Sequence, residues 1–325
     1  MLRTIEKVIL STTKASSIQE AQLIQQLWGG YGELSRVFLN GTHFDNSIPE
    51  SIILKNIQFP DSPKHPKGMS ISASHTRKVK SYQVEMFWYK QNSYQNLNSY
   101  IPKCYASGSI DSQQYIILED LINLHYKTLS EIDSNQINQC LKWLAHFHAY
   151  YILEEPVNLW NVGTYWNLET RPDEYELMQD NELKAIAQKI DDKLNRAYYQ
   201  TFVHGDAKLA NFLFSPSQVA AVDFQYVGGG VGIKDVAYFL SSIYNDQQLF
   251  KNDKACLDYY FTQLKNALKT HHKEVNFNKL EAEWRELYPY AWADFYRFLQ
   301  GWSPEHYKVN SYTKKMRDKV VNDLK

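Results

Sequence analysis

The chain contains the sequence HGDAKLAN at residues 204–211 and the sequence AVDFQ at residues 221–225. Strand-like apolar residues flank both stretches, so each is expected to be a short loop between strands. Asp206 and Asp223 supply carboxylates, and Asn211 supplies a carboxamide. Either stretch alone says little, because an aspartate beside a glycine is usual in an ordinary turn. The two stretches in this order are much less expected by chance.

Together the two stretches resemble the catalytic and metal-binding loops of the protein-kinase-like superfamily. In that pattern an asparagine follows the catalytic aspartate by five residues, as Asn211 follows Asp206 here. The His-Gly-Asp form at 204–206 is similar to the small-molecule branch, which includes aminoglycoside phosphotransferases, choline and ethanolamine kinases and the ecdysteroid-kinase-like (CHK) group. The superfamily's ordered motifs fall on residues 25–245, and the C-terminal part of the chain is matched less clearly.

The resemblance implies an α+β, bilobal protein-kinase-like fold. A small N-terminal nucleotide-binding lobe with an antiparallel sheet would comprise residues 1–120, and a larger, mainly helical catalytic and substrate-binding lobe would comprise residues 121–325. The resemblance also implies ATP and Mg²⁺ as cofactors, with the nucleotide between the lobes. It implies a small-molecule alcohol as the acceptor of the phosphoryl group.

The resemblance assigns a role to four residues of the two stretches. Phosphoryl transfer needs positioning and charge neutralisation more than covalent help from the protein. Asp206 would accept or orient the proton of the attacking hydroxyl. Asn211 and Asp223 would supply the hard oxygen ligands that Mg²⁺ prefers. Lys208 would touch the γ-phosphate. This lysine is usually missing from the His-Gly-Asp kinases, and its presence is a departure towards the protein-kinase form.

Two upstream residues fall in the order that the resemblance requires. Lys55 lies in the strand-like sequence SIILK, and such a lysine in the family binds the α- and β-phosphates. Glu85 lies on the next predicted helix, at 74–91, and would hold Lys55 by an ion pair. Taken by itself, Lys55 is typical of a solvated strand lysine, and a loop at 61–68 separates the two partners along the chain.

Two further segments are candidates for nucleotide binding. The sequence GGYGELS at 29–35 contains Gly30 and Gly32 and is a candidate phosphate-covering loop, since backbone N–H groups approach phosphates where side chains are missing. It does not match the full G-x-G-x-x-G pattern, and an ordinary hairpin turn explains it equally well. Glu119 and Leu121 lie where the family's hinge would read adenine through backbone groups. The alternative there is a strand end with an acidic turn.

Two buried-looking polar residues complete the candidates. Asp235 is expected to cap the helix that begins beside it. In the family an aspartate at this place also braces the catalytic loop through backbone N–H groups, and the two roles are compatible. His148 lies on an apolar helical stripe and is expected to be a packed core residue whose ring nitrogens find partners.

The spacing of apolar residues predicts the main elements of secondary structure. A first helix is predicted at 17–27. Strands are predicted at 51–59 and 114–121, where β-branched residues are frequent. After about residue 135 the helical pattern dominates. A strand-rich first third therefore precedes a helix-rich remainder.

The composition excludes several classes of protein. Lys plus Arg is 35 and Asp plus Glu is 36, which argues against a nucleic-acid or polybasic membrane-surface protein. Cys104, Cys140 and Cys256 have no CxxC spacing, so neither a disulfide framework nor a zinc site is predicted. No stretch is apolar enough for a signal peptide or a membrane span. We therefore expect a cytoplasmic protein with no nucleic-acid or membrane partner, and the oligomeric state stays open.

Aromatic residues make up 14% of the chain and are densest at 284–302. Aromatic faces beside carboxylates such as Glu286 and Asp294 suit a quaternary ammonium group by cation–π attraction. They equally suit a flat apolar alcohol such as a sterol. Plain helix packing is the third explanation, because Tyr and Trp bury large areas. The choice among choline-, aminoglycoside- and sterol-like acceptors therefore stays open.

The sequence thus favours an ATP- and Mg²⁺-dependent phosphotransferase that phosphorylates a hydroxyl of a small molecule. A nucleotide-binding pseudokinase or scaffold is the alternative, which lost catalytic residues would favour, and none is lost. A protein kinase is disfavoured, because no Ala-Pro-Glu motif follows Asp223 and only twelve residues separate it from Asp235.

Overall fold

The computed structural model describes residues 2–41, 48–59, 71–92, 98–111 and 113–325. The chain divides into two compact units. The N-terminal unit comprises Met1–Asn96, Tyr100–Lys127 and Leu213–Val222. The second unit comprises Leu97–Ser99, Thr128–Phe212 and Asp223–Lys325.

The elements alternate between strands and helices at first and are mainly helical later. Those up to residue 150 are α1 (Leu2–Thr13), β1 (Ser17–Gln26), β2 (Gly32–Asn40), β3 (Ser51–Gln58), α2 (Ile71–Asn92), β4 (Cys104–Ile110), β5 (Gln113–Glu119) and α3 (Ser134–Tyr150). The later ones are α4 (Pro172–Glu176), α5 (Asn181–Asn195), β6 (Thr201–Val203), β7 (Phe212–Phe214), β8 (Val219–Ala221), β9 (Gly228–Gly230), α6 (Ile233–Ile243), α7 (Asp246–Thr270), α8 (Phe277–Trp302) and α9 (Ser311–Leu324).

The N-terminal unit is built on a five-stranded antiparallel sheet in the order β1-β2-β3-β5-β4. The central strand β3 is rich in β-branched residues, which suit a buried pleated surface. It places Lys55 between Leu34 of β2 and Ile116 of β5. Helix α1 covers the sheet core with Ile5 and Ile9. This sheet and the mainly helical remainder confirm the predicted fold class.

The helix predicted at 17–27 is wrong, because this segment forms strand β1 and pairs with β2. Its apolar residues do not line a buried helix face: Leu23 and Ile24 are 52% and 43% exposed. Gly29 and Gly30 have positive φ angles of 74° and 78°, which let the chain turn back at once into β2. Pairing with β2 therefore overrides the helical spacing.

The other predicted elements of this region agree with the structure. The strands at 51–59 and 114–121 are β3 and β5, and the helix at 74–91 is α2. The loop predicted at 61–68 lies outside the described residues. Strand β4 was not predicted, because its sequence CYASGSI lacks both apolar alternation and β-branched enrichment.

The second unit is organised around α8, which packs against α4, α5, α6 and α9, while α3 packs against α7. Helix α8 is 26 residues long but carries charged side chains along its length. Within the described ranges, no helix is both long enough and apolar enough to cross a membrane.

A buried ionic cluster lies where α6 meets α8. Asp294 Oδ1 accepts a hydrogen bond from Arg297 Nη2 at 2.8 Å, and Asp294 Oδ2 lies 3.3 Å from Lys234 Nζ. Trp166 Nε1 donates to the same Oδ2 at 3.0 Å. Burial alone would raise the pKa of Asp294, but the two cations outweigh it and lower that pKa. The cluster keeps a charged carboxylate in the helical core.

A pair of histidines connects α3 to α7. His146 Nδ1 lies 3.4 Å from His271 Nε2. Burial, followed by the charges of His271 and Lys142, lowers the pKa of His146 from 6.5 to about 4. Between pH 6.5 and pH 4 the unfolded chain therefore binds a proton that the folded chain does not. Since the unfolded state binds more protons, the free energy of unfolding falls as the pH drops through this window.

We expect His146→Gln to make the free energy of unfolding less dependent on pH between 6.5 and 4. Denaturant titrations at a series of pH values measure this dependence. His125→Asn, which replaces an exposed histidine, is the control and should follow the wild-type curve. If His146→Gln lost as much stability on acidification as the wild type, the assignment would be contradicted.

Candidate active site

The loop at 204–211 connects β6 to β7. Gly205 has a φ of 80°, and a Cβ atom there would overlap the carbonyl oxygen of Tyr226, so only glycine fits. The Lys208 N–H donates to the Asp206 carbonyl at 2.8 Å, and the Asn211 N–H donates to the Lys208 carbonyl at 2.9 Å. These bonds close the loop into a compact turn.

The side chain of Asp235 on α6 holds this loop through the backbone N–H groups of the loop. Its Oδ2 accepts from the His204 N–H at 2.6 Å, and its Oδ1 accepts from the Gly205 N–H at 3.0 Å. The bracing role expected of Asp235 is therefore confirmed. The capping role is wrong, because α6 begins at Ile233 behind Gly232 and the carboxylate turns to the loop instead.

His148 on α3 supports Asp235 from behind. His148 is fully buried. Its Nε2 lies 3.2 Å from Asp235 Oδ2, and its Nδ1 lies 2.7 Å from the Tyr260 hydroxyl of α7. Both ring nitrogens therefore have a hydrogen-bond partner, a carboxylate at Nε2 and a hydroxyl at Nδ1. The predicted packed position is confirmed, and the ring also joins three helices around the loop.

The two carboxylate oxygens of Asp206 have different surroundings. Oδ2 accepts from Lys208 Nζ at 2.9 Å and from Asn211 Nδ2 at 3.1 Å. Oδ1 is buried and accepts no hydrogen bond of normal geometry from the described residues, although the Tyr238 hydroxyl interacts with this carboxylate. A buried acceptor of this kind is costly unless a ligand supplies a donor. Oδ1 is therefore the atom suited to a substrate hydroxyl.

Lys208 faces both acids of the two loops. Burial alone would lower the pKa of Lys208, but the carboxylates of Asp206 and Asp223, together with the Tyr226 hydroxyl, outweigh it and raise that pKa. The structure thus brings Asp206, Lys208, Asn211 and Asp223 together in the second unit. This is the grouping that the two sequence stretches predict.

The surroundings of Asp223 and Asn211 fit a divalent metal. Asp223 has a φ of 69°, which non-glycine residues rarely adopt and which persists mainly where the surroundings demand it. Its Oδ1 accepts from Gln225 Nε2 at 2.7 Å. Asn211 turns its Nδ2 towards Asp206, so the amide oxygen is the end suited to a ligand. A carboxylate and an amide oxygen are ligands that Mg²⁺ accepts.

Lys55 and Glu85 form an ion pair within the N-terminal unit. Lys55 Nζ lies 2.6 Å from Glu85 Oε2, and the side chains are 7% and 2% exposed. The Tyr82 ring of α2 lies 5.6 Å from the same Nζ. Strand β3 and helix α2 thus hold the lysine in one position before any ligand arrives. The pairing agrees with the sequence, and the binding of nucleotide phosphates by Lys55 stays a prediction.

The glycine-rich segment with Gly30 and Gly32 forms the turn from β1 into β2. Between the two glycines, the Tyr31 hydroxyl lies 2.7 Å from His75 Nδ1 on α2. This contact fastens the turn to the helix that carries Glu85. The geometry is that of a hairpin turn, and its role in covering phosphates stays a prediction.

Glu119 ends β5, and Leu121 begins a short helical turn. Glu119 Oε2 accepts from the Tyr100 hydroxyl at 2.7 Å, so this side chain is engaged within its own unit. Asp120, between the two, accepts from Arg36 Nε at 2.5 Å. The segment is therefore firmly held on the sheet, and recognition of adenine by its backbone stays a prediction.

The aromatic residues at 284–302 serve mainly for packing. Those exposed by 5% or less are Trp284, Tyr288, Tyr290, Trp292, Phe295, Tyr296 and Phe298. Asp294 belongs to the buried ionic cluster, and Glu286 pairs with Lys193 at 2.6 Å on the surface. Both carboxylates considered for a quaternary ammonium group therefore already have cations of the protein as partners.

Three residues close to the catalytic loop were not found from the sequence: Tyr165, Tyr238 and Lys308. Burial and then the charge of Asp206 raise the pKa of Tyr165 and of Tyr238. Lys308 Nζ lies 4.5 Å from the centre of the Tyr238 ring. No spacing links these residues, because tertiary packing alone assembles them.

Comparison with known proteins agrees with this geometry. The model of the ecdysteroid kinase-like family matches residues 50–155 and 163–273. These ranges are more than half of the chain and include Lys55, Glu85 and both loops. No curated protein matches the chain in a sequence search.

Two of the solved structures that match the chain illustrate the shared fold. A choline kinase from Cryptosporidium parvum superposes with a TM-score of 0.59 at 11% identity, covering 98% of this chain and 97% of that chain. Amicoumacin kinase hAmiN, solved with AMP-PNP, Ca²⁺ and Ami, superposes with a TM-score of 0.52 at 13% identity and covers 100% of both chains.

We expect Asp235→Ala to loosen the catalytic loop, because two buried N–H groups lose their acceptor. The free energy of unfolding should fall by about 3 kcal/mol. Hydrogen exchange should also speed up in peptides covering 201–211, as mass spectrometry measures. Asp323→Ala, at an exposed position of α9, is the matched control. Unchanged exchange of these peptides in Asp235→Ala would show that the brace is not needed.

Proposed function

The chain belongs to the ecdysteroid kinase-like family, and we propose that it is an ATP- and Mg²⁺-dependent phosphotransferase that phosphorylates a hydroxyl of a small molecule. The observation that carries this proposal is the preassembled catalytic loop. Within it, Asp206 presents one engaged and one unengaged carboxylate oxygen. A buried acceptor without a partner at this place in the loop is available to a donor from a ligand.

Asp206 would receive the acceptor alcohol on Oδ1. The substrate O–H would donate to this oxygen, and the carboxylate would take the proton as the alcohol oxygen bonds to the γ-phosphorus and the bond from that phosphorus to ADP breaks. Lys208 and Asn211 hold Oδ2 in place, so the carboxylate cannot rotate away.

Asn211 and Asp223 would hold the metal. A metal held there would supply the charge neutralisation that phosphoryl transfer needs. The backbone of Asp223 is fixed in its unusual conformation, and Gln225 holds one of its carboxylate oxygens. The ligands therefore need little rearrangement before binding.

Lys55 would bind the nucleotide phosphates. The ion pair with Glu85 keeps the flexible lysine stem extended and its ammonium group in a fixed place. The presence of AMP-PNP and Ca²⁺ in the amicoumacin kinase complex supports the use of a nucleotide and a divalent cation by this fold. A cytoplasmic location stays a prediction from the sequence.

We expect Asp206→Asn to lower ATP-dependent transfer by about 10²–10⁴-fold, since the amide is not a base. ATP consumption is measured with a panel of alcohols: choline, ethanolamine, aminoglycosides, sugars and sterols. Stabilisation by Mg-ATP in a thermal-shift assay should persist in this variant, because the proposed metal and phosphate ligands are intact. Asp323→Asn is the control and should behave as the wild type.

Full transfer by Asp206→Asn would refute the role of this residue. No thermal response of the wild type to Mg-ATP would refute nucleotide binding altogether. Stabilisation by Mg-ATP without transfer either to an alcohol of the panel or to a hydroxy compound that bears a carboxylate or a carbonyl group would favour the pseudokinase alternative.

A further inference from the structure

Lys308 lies in the segment between α8 and α9 and is only 6% exposed. Its backbone is fixed on both sides. Its N–H donates to His306 Nδ1 at 3.2 Å, and its carbonyl accepts from Thr313 Oγ1 at 2.9 Å in the first turn of α9. The side chain therefore leaves a rigid point of the backbone.

The ammonium group of Lys308 lies near three aromatic rings. Its Nζ lies 4.5 Å from the ring centre of Tyr238, 5.4 Å from that of Phe295 and 5.9 Å from that of Tyr307. Among the described residues it has neither an ion-pair nor a hydrogen-bond partner. The aromatic faces soften the cost of burial, but they do not replace hydrogen bonds.

The other buried lysines in the described part of the chain are treated differently. Lys55 pairs with Glu85 at 2.6 Å, and Lys234 pairs with Asp294 at 3.3 Å. Lys308 differs from both: its stem is buried, but its ammonium group has no partner in the described part of the chain and keeps some accessible surface, so a ligand can reach it.

Helix α6 places this group beside the catalytic loop. Asp235, Tyr238 and Ser242 lie on one face of α6, three and then four residues apart. Asp235 holds the loop at its start, and Ser242 Oγ accepts from the Leu209 N–H at 2.9 Å near its end. Tyr238 lies between these two residues on α6, and the Lys308 ammonium group lies over the Tyr238 ring.

The electrostatics agree with this placement. Burial lowers the pKa of Lys308 to about 8, while Asp206 raises it and Lys208 lowers it. The charges of Asp206 and Lys208 in the catalytic loop therefore both act on the Lys308 ammonium group. It also remains mostly protonated at neutral pH and is able to donate.

We propose that Lys308 is a specificity residue of the acceptor site, which donates to an oxygen of a hydroxy compound whose apolar body rests on the surrounding aromatic rings. Such substrates share an oxygen atom that accepts a hydrogen bond, in either a carboxylate or a neutral carbonyl group. Cationic acceptors would be rejected, because the ammonium of Lys308 already faces the rings and repels a second cation. This inference rests on the proposed function, since it concerns the acceptor of the same reaction.

Three ligands with one alcohol and one ring but different charge test the proposal: para-hydroxymethylbenzoate, para-hydroxymethylbenzamide and para-hydroxymethylbenzylamine. Their affinities are measured by saturation-transfer NMR titration of the full chain, with and without Mg-AMP-PNP. We expect the wild type to bind the anion at least about tenfold more tightly than the amine, since a charge-assisted hydrogen bond replaces repulsion. The affinity of the benzamide relative to the other two ligands distinguishes a site for a neutral carbonyl group from a site for an anion.

Lys308→Met should abolish the preference, and Lys308→Arg should keep it. Lys315→Met is the matched control, because Lys315 also lies over an aromatic ring, Phe250, at 5.2 Å but is exposed. The control should keep the wild-type preference.

The proposal is overturned if the amine binds as tightly as the anion, if none of the three ligands binds the wild type at millimolar concentration, or if the preference persists in Lys308→Met. A wild type that prefers the anion but is not stabilised by Mg-ATP would refute the proposed function and leave the assignment of Lys308 intact. The two failures are therefore distinguishable.

Discussion

Two hydrogen bonds from the Asp235 carboxylate to the backbone N–H groups of His204 and Gly205 hold the candidate site together. A buried carboxylate is stable only when donors surround it, and such charge-assisted bonds are short and strong. Here the donors are the backbone of the catalytic loop itself. Folding the core of the second unit therefore fixes the loop, and the fixed loop positions Asp206. His148 extends the constraint to two further helices.

Helix α6 consequently organises both sides of the proposed reaction. Through Asp235 and Ser242 it anchors the loop that carries the base. Through Tyr238 it supports the ammonium of Lys308 on the proposed acceptor side. A substrate hydroxyl at Asp206 and an oxygen acceptor at Lys308 would then be held from one rigid element. In the N-terminal unit the buried pair of Lys55 and Glu85 provides a separate, equally rigid group.

The sequence was most informative where chemistry depends on short spacings. The grouping of Asp206 with Asn211 follows from a loop that closes on itself within a few residues. The pairing of Lys55 with Glu85 was predicted from the order of motifs. The helix predicted at 17–27 is wrong because pairing with β2 decides the conformation of this exposed edge segment. No sequence pattern indicates a role for Lys308, because the aromatic residues near it come from segments that meet only in the folded chain.

The central claim, that the two loops hold a divalent metal for phosphoryl transfer, is tested most directly by the position of a bound metal. Crystals grown with Mn²⁺ in place of Mg²⁺ and with AMP-PNP would give an anomalous-difference map. We expect a peak within coordination distance of the Asn211 amide oxygen and the Asp223 carboxylate. A metal bound elsewhere, with Asn211 and Asp223 left uncoordinated in the presence of the nucleotide, would contradict it.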